Sequence, residues 1–311
     1  MGDLSNTSQT VINCYDFLDA FASCGVTDLT DGKYYGNPDT PYLKAQENQA
    51  EWLLDQINSN NGSRILDIGC GYGRILQTAE NRGAQAVGIT ISEKQVRKCK
   101  AQGLEARLLN YKNIPKSWDG SFDGIIANGS AEHFVQVQDA IDGKQDEIYE
   151  EMFEICYRIL RPGGEFATTI IHFNDWLDID PNEVIKGPSA FKRGTDGFHY
   201  ARLIKDFGGW YPQGNQLEKC ASGYFTLGSR EDGTDDYHIT SETWLSKHRK
   251  IALSNPKAWG IFAGKLMKNP RATIGFLDDL LISESWIGQF RDGDGKRTPA
   301  KLYRDVWKRV D

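Results

Sequence analysis

Three glycines at alternate positions, Gly69, Gly71 and Gly73, follow the carboxylate of Asp67 and the apolar pair Ile65-Leu66. Glycine tolerates positive φ and leaves the backbone bare, so a ligand can approach main-chain amides closely. Such a loop, at the carboxyl end of a strand and the start of a helix, is where open α/β sheets bind nucleotide-like ligands. A dinucleotide site needs glycine at position 74 and an acid at the end of the next strand. This chain has Arg74, and Ala86-Val87-Gly88-Ile89 runs into Thr90-Ile91-Ser92. Both departures turn the loop away from NAD. Further along, Glu132, His133 and His172 are side chains able to take a proton from a reacting group.

These residues need a scaffold, and the hydrophobic pattern supplies one. Apolar residues at helical spacing (Ala45, Ala50, Leu53, Leu54, Ile57) predict a helix over 43–58. Asn61-Gly62 then turns into a first strand over 64–68. Strands are expected at 84–90, 106–109, 122–128 and 165–171, alternating with helices at 72–82, 93–102 and 146–160, and a short one after Asn113. Pro162-Gly163-Gly164 should end the last of these helices. Such alternation implies an α/β fold with a doubly wound, mainly parallel sheet. Residues 1–60 read as an N-terminal helical lid, including an amphipathic stretch at 11–21, and residues 61–172 as the ligand-binding core. Residues 173–235, rich in Gly, Asp and aromatics, are too long for an ordinary loop and read as an inserted cap. Residues 236–311 complete the core, with helices at 241–252, 257–268 and 271–281 and an edge strand at 300–310.

Whole-chain composition narrows the function class. The 311 residues are 39% hydrophobic and 25% charged, with a net charge of −7. That balance argues against nonspecific nucleic-acid binding. No apolar run approaches the length of a membrane span. The start, Met1-Gly2-Asp3-Leu4, has no signal-peptide pattern, so a cytoplasmic protein is expected. Six scattered cysteines and five histidines show no metal-ligand spacing, so no metal is expected.

An acid followed by G-x-G-x-G is the loop of class I S-adenosylmethionine (AdoMet) methyltransferases. The chain resembles one branch of them, the cyclopropane fatty acid synthase and mycolic acid methyltransferase family. The matching segments begin with Tyr34-Tyr35-Gly36, Leu43-Lys44-Ala45-Gln46 and Leu66 to Gly71. They continue with Gly88-Ile89-Thr90-Ile91-Ser92 plus Gln95, and Glu132-His133-Phe134. Later ones are Leu160 to Gly164, Tyr211-Pro212-Gln213-Gly214, Asp236-Tyr237 with Trp244, and Gln289-Phe290-Arg291. They cover roughly residues 30–310.

The resemblance implies a Rossmann-like seven-stranded sheet and AdoMet as cofactor. It places Asp67, Gly69, Gly71 and Gly73 at the methionine and ribose end, and Thr90, Ile91 and Gln95 near the ribose. Asn110 and Tyr111 are expected to bracket the adenine, with Asn128-Gly129 beside the transferred methyl. Tyr34 and Gln46 are expected to close the pocket. Glu132 and Tyr237 match active-site positions, where the family glutamate helps hold a bicarbonate base.

The departures bear on the reaction. No cysteine adjoins Tyr34-Tyr35, and Thr169 stands where the family has a histidine, with His172 displaced by three residues. The incomplete bicarbonate set weakens cyclopropanation. Methyl transfer to a lipophilic acceptor, free or carrier-bound, is expected, with oxygen methylation of a natural product favoured slightly over carbon methylation. Glu132, His133 or His172 would act as base. A cyclopropane synthase, a lipid methyltransferase or a noncatalytic AdoMet-binding partner protein are the alternatives, as monomer or homodimer. The cap aromatics Trp176, Phe191, Phe198, Tyr200, Phe207, Trp210 and Tyr211 could line the acceptor pocket or form the cap's own core. Lys186, Lys192, Arg193 and Arg202 could meet an anionic head group.

Overall fold

The structure is a computed structural model that describes residues 18, 21–25, 30–290 and 298–311. Most of the amphipathic stretch at 11–21, and Arg291, lie outside the described residues. Helix α1 (Tyr42–Gln56) leads into β1 (Arg64–Ile68), the glycine loop and α2 (Arg74–Asn81). Strand β2 (Gln85–Thr90), α3 (Glu93–Ala101), β3 (Ala106–Leu108), β4 (Phe122–Asn128), α4 (Gln145–Ile159) and β5 (Leu160–Phe173) continue the alternation. Then come α5 (Asp196–Phe207), β6 (Phe225–Asp232), three helices α6 (Thr234–Ser254), α7 (Pro256–Lys268) and α8 (Pro270–Asp278), and β7 (Ala300–Arg309).

The seven strands form one sheet in the order β3-β2-β1-β4-β5-β7-β6. From β3 to β5 all neighbours are parallel; β7 is antiparallel to both β5 and β6. The chain builds outward from β1 through β2 to β3, then returns to lay β4 on the other side of β1. The carboxyl ends of β1 and β4 therefore flank the switch point where a doubly wound sheet opens a crevice. Asp67 and Asn128 sit at those two ends.

Successive strand residues face opposite sides. Leu66, Ile68, Ile125 and Ala127 join a core with Phe153 of α4, whereas Ile65 and Ile126 join a second core with Leu53 and Leu54 of α1 and Leu76 of α2. Both faces are covered, as a parallel sheet requires. A third cluster unites Leu203 and Phe207 of α5, Trp244 and Leu245 of α6, Phe262 of α7 and Phe276 of α8.

Two expectations need correction. The strand at 300–310 is not an edge: β7 runs between β5 and β6. The edge on that side is β6, whose residues 225–232 lie within the stretch read as cap. Its sequence, Phe225-Thr-Leu-Gly-Ser-Arg-Glu-Asp232, is half solvated and carries little apolar alternation, so pattern alone could not separate it from a loop. Pairing along β4–β5 jumps from Phe122–Leu160 to Gly124–Glu165. The Pro162-Gly163-Gly164 turn is thus an excursion inside β5, with Gly163 at φ 78°.

Candidate functional site

The glycine loop divides its labour. A Cβ on Gly69 would stand 2.4 Å from the Ser130 Cβ, and one on Gly73 would stand 2.5 Å from a Leu104 methyl. Both have positive φ, 83° and 92°, so these two glycines serve close packing of loop and helix. Gly73 is accordingly a packing residue and does not line the cavity described below. Gly71, at φ 51°, has nothing within 4 Å of the same position. Its bare backbone faces a cavity, which leaves room for a ligand.

That cavity lies over the carboxyl ends of β1 and β4. Asp67, Gly69, Gly71, Gln95, Asn128, Gly129, Glu132, His133 and Tyr237, all singled out from the sequence, line it together. Asp67 is buried, its Oδ2 has no hydrogen-bond partner among the described residues, and burial pushes its carboxyl up to about 7. Thr90 stands one layer back: its hydroxyl donates to Gln95 Oε1 at 2.6 Å, which turns the Gln95 amide donors away from the strand. Ser92 caps α3 by accepting from the Gln95 amide. Ile91 does not line the cavity.

Other expected residues have different work. Asn110 Oδ1 accepts from the Lys112 amide at 3.1 Å and caps a turn. Tyr111 stacks on Phe134 at 4.1 Å and belongs to the main core. Neither reaches the cavity, so the adenine bracket is not seen at these two residues. Tyr34 is buried off the cavity, its amide donating to Asp236 Oδ1 at 3.1 Å. Gln46 Nε2 donates to the carbonyl of Thr30 at 2.9 Å, so it holds a cavity-lining segment rather than the cavity itself.

His172 is the clearest correction. Ile171 lines the cavity, and its neighbour on the same strand must point to the other face. There the imidazole meets the ring of Tyr303 edge-on at 4.9 Å. Burial, with Arg230 and Lys301 nearby, pushes it down to about 3. It cannot reach an acceptor held beside Asp67.

Glu132 and His133 sit on the short turn Ala131–His133 that follows β4. Glu132 is 2% exposed, with Oε2 unpartnered among the described residues. Burial, with the charge of Asp31 adding to it, pushes its carboxyl up to about 8. Burial pushes His133 down to about 4, so its imidazole is neutral at pH 7. Tyr237, in the first turn of α6, lies 4.6 Å edge-on from Phe290 and 6.5 Å from Trp286. Trp244 and Trp286 stack at 4.8 Å, and with Leu203, Phe207 and Ile171 they make the cavity largely apolar.

Of the cap aromatics, Phe207 and Tyr211 line this cavity, whereas Tyr200 and Trp210 pack with Tyr211 around Phe173. Lys186 pairs with Glu183, and Arg193 and Arg202 with Asp278; none lines the cavity. Sequence reasoning missed Asp31 and gave Gln289 no role, although it lay in a matching segment. Tyr211 Oη donates to Gln289 Oε1 at 3.2 Å inside the cavity.

The donor set fits AdoMet. Asp67 offers a carboxyl oxygen that lacks a donor, Gly71 an uncovered backbone, and Gln95 an oriented amide. With Asn128 and Gly129 these residues would hold the cofactor. Among the described residues no group of His, Cys, Asp and Glu could hold a metal ion, and no helix is long and apolar enough to cross a membrane.

Comparison with known proteins agrees. Residues 5–249 match the family model described as mycolic acid cyclopropane synthetase. The chain is similar to 24-methylenesterol C-methyltransferase 2 of Oryza sativa subsp. japonica, 31% identical over 51% of this chain and 46% of that one. It is also similar to methyltransferase GfsG of Streptomyces halstedii, 29% identical over 58% of this chain and 64% of that one. It thus spans about half the length of these curated relatives. In structure it resembles the cyclopropane synthase MmaA2 of Mycobacterium tuberculosis, with a TM-score of 0.74 at 17% identity, covering 99% of this chain and 100% of that one. That likeness establishes the fold. The family match covers most of the chain, and the chain therefore belongs to the mycolic acid cyclopropane synthetase family, a branch of the AdoMet-dependent methyltransferases.

Proposed function

We propose that the chain transfers a methyl group from AdoMet to a lipophilic small molecule, with oxygen methylation of a hydroxyl as the favoured reaction. The observation that carries the reading is Glu132, a buried carboxyl with an open oxygen, set in a largely apolar cavity over the glycine loop. AdoMet, when bound, supplies an electrophilic methyl on a positively charged sulfur. The chain's own part is to orient the acceptor, exclude water and take the proton that a hydroxyl acceptor must lose. Glu132 Oε2 can receive it once ionised, and its raised proton affinity makes it a stronger base than an ordinary carboxylate. Neutral His133 is the second acceptor on the same turn. Leu203, Phe207, Trp244 and Trp286 supply the surface on which an apolar body would rest.

Carbon methylation of an alkene, or cyclopropanation, is the second reading. The faces of Tyr237, Trp244 and Trp286 favour it, because aromatic faces stabilise a developing carbocation. The sterol and cyclopropane chemistry in the relatives' names points the same way. Against it stands Thr169, which is not a base.

Incubation with methyl-labelled AdoMet and two acceptor panels, lipophilic alcohols and phenols against matched alkenes, separates the readings. Label on oxygen, located by mass spectrometry and NMR, supports the first; label on carbon overturns it. No transfer to either panel despite AdoMet binding favours a noncatalytic partner protein.

A further inference from the structure

Asp31 also lines the cavity, and so far it enters only through its charge, which adds to the proton affinity of Glu132. It is 4% exposed and comes from the loop ahead of α1. A chain of oriented amides leads toward it. Arg304, fully buried on β7, carries only donors, and its Nε donates to Gln49 Oε1 at 2.7 Å. That contact fixes which end of the Gln49 amide is oxygen. Its Nε2 must then donate, and it does so to Asn128 Oδ1 and to Thr169 Oγ1, each at 3.0 Å. The Asn128 oxygen being taken, its amide nitrogen is left to face the Asp31 carboxylate, whose charged form it favours. Arg304 Nη2 also donates to the Gly32 carbonyl at 3.1 Å, which pins the loop itself. The relay ends in Asp31 Oδ2, which lies 3.9 Å from Arg304 Nη2, beyond hydrogen-bond reach, and has no hydrogen-bond partner among the described residues. A buried acceptor left open at the end of an otherwise satisfied network costs stability unless a ligand completes it.

We propose that Asp31 is a specificity residue of the acceptor site, taking a hydrogen bond from a donor group, a hydroxyl or a protonated amine, on the lipophilic acceptor. It rests on the reading that this cavity takes a lipophilic acceptor beside AdoMet. Asp67 is already placed at the cofactor loop, and Glu132 stands on the turn after β4. Asp31 enters from a third element and lines the same cavity as Asn128 at the end of β4. An acceptor reaching Asn128 and Gly129 along the apolar wall would meet it. An alkene without a polar substituent would leave it unpaired, so the site should discriminate against such acceptors.

The test uses the full chain with S-adenosylhomocysteine present and three probes of similar length: 1-decanol, decylamine and decyl methyl ether, which has no hydrogen to donate. Calorimetry should show the alcohol and the amine bound about tenfold tighter than the ether. Asp31→Ala should erase both preferences while leaving ether binding and S-adenosylhomocysteine affinity within about twofold. Asp31→Asn, close in shape and the safer variant to fold, should lose the preference for the amine. Survival of both preferences in Asp31→Ala, or of the amine preference in Asp31→Asn, overturns the proposal. So does a loss confined to S-adenosylhomocysteine affinity, which would assign Asp31 to the cofactor. If the wild-type chain binds S-adenosylhomocysteine but none of the three probes, the lipophilic-acceptor reading itself fails and the proposal falls with it.

Discussion

Gln49 Nε2 donates to Thr169 Oγ1 at 3.0 Å, across the boundary between α1 and β5. Thr169 is the position at which the family resemblance puts a histidine, and here it is a satisfied, fully buried partner of a structural amide. The same Gln49 side chain serves Asn128 and Arg304. Gln49→Leu would strand the Arg304 Nε and two acceptors in a buried setting, so a loss of about 1–3 kcal/mol per unsatisfied group is expected. Urea denaturation measures it. A loss below 0.5 kcal/mol, a rough threshold, would mean the network is replaceable by water.

Glu132→Gln keeps the shape of the side chain and removes the base. Turnover should fall about 100-fold or more, the usual contribution of a positioned general base, while AdoMet affinity measured by calorimetry changes less than about twofold. An unchanged rate would take Glu132 out of the mechanism.

Stability should respond to pH in a stated direction. The carboxyls of Glu132 and Asp67 bind protons more tightly in the folded protein, up to about 8 and about 7. Between the ordinary carboxylate range and those values the folded chain holds protons that the unfolded chain has released. Its stability therefore falls as pH rises through that window. Glu132→Gln removes one contribution, so it should match the wild type near pH 4 and become the more stable protein by pH 8. The gap is on the order of 1.4 kcal/mol for each tenfold change in proton affinity. His133 and His172, held neutral by burial, act oppositely: they remove stability as pH falls below the ordinary imidazole range through about 4 and about 3. A Glu132→Gln gap that is flat from pH 5 to 8 would show that the carboxyl is solvated.

The two glycine variants should separate packing from binding. In Gly73→Ala the new methyl meets Leu104, and the backbone is left-handed, so destabilisation of about 1–3 kcal/mol is expected. Gly71→Ala has open space around the methyl and a milder φ of 51°. It should cost about 1 kcal/mol of stability, yet weaken AdoMet binding tenfold or more, a loss of roughly 1.4 kcal/mol or above. Equal effects of both variants on AdoMet affinity would contradict the division of roles.

His172→Gln should leave kcat and acceptor KM within about twofold, because the imidazole lies across the sheet from the cavity. A thermal melt should still register it, since the ring packs on Tyr303. A large loss of activity with an unchanged melt would place His172 back in the reaction.

Local spacing was enough to read the strand–loop–helix of Asp67 to Ile75 as a site for a nucleotide-like ligand, and the resemblance of its motif to known methyltransferases named the cofactor. The same holds for Glu132-His133 beside the fourth strand. Each depends on neighbours within a few residues, where backbone conformation and side-chain direction follow directly from residue type. Tertiary packing decided the rest. Which face of β5 meets the cavity separates Ile171 from His172, and that depends on what covers each side of the sheet. Whether Tyr111 waits for an adenine or packs in the core depends on Phe134, which a different loop delivers. The half-solvated pattern of β6 became an edge strand only because β7 came to lie beside it. Asp31 and Arg304 stand near opposite ends of the chain, and only the folded sheet brings their charges and the amides between them into one network.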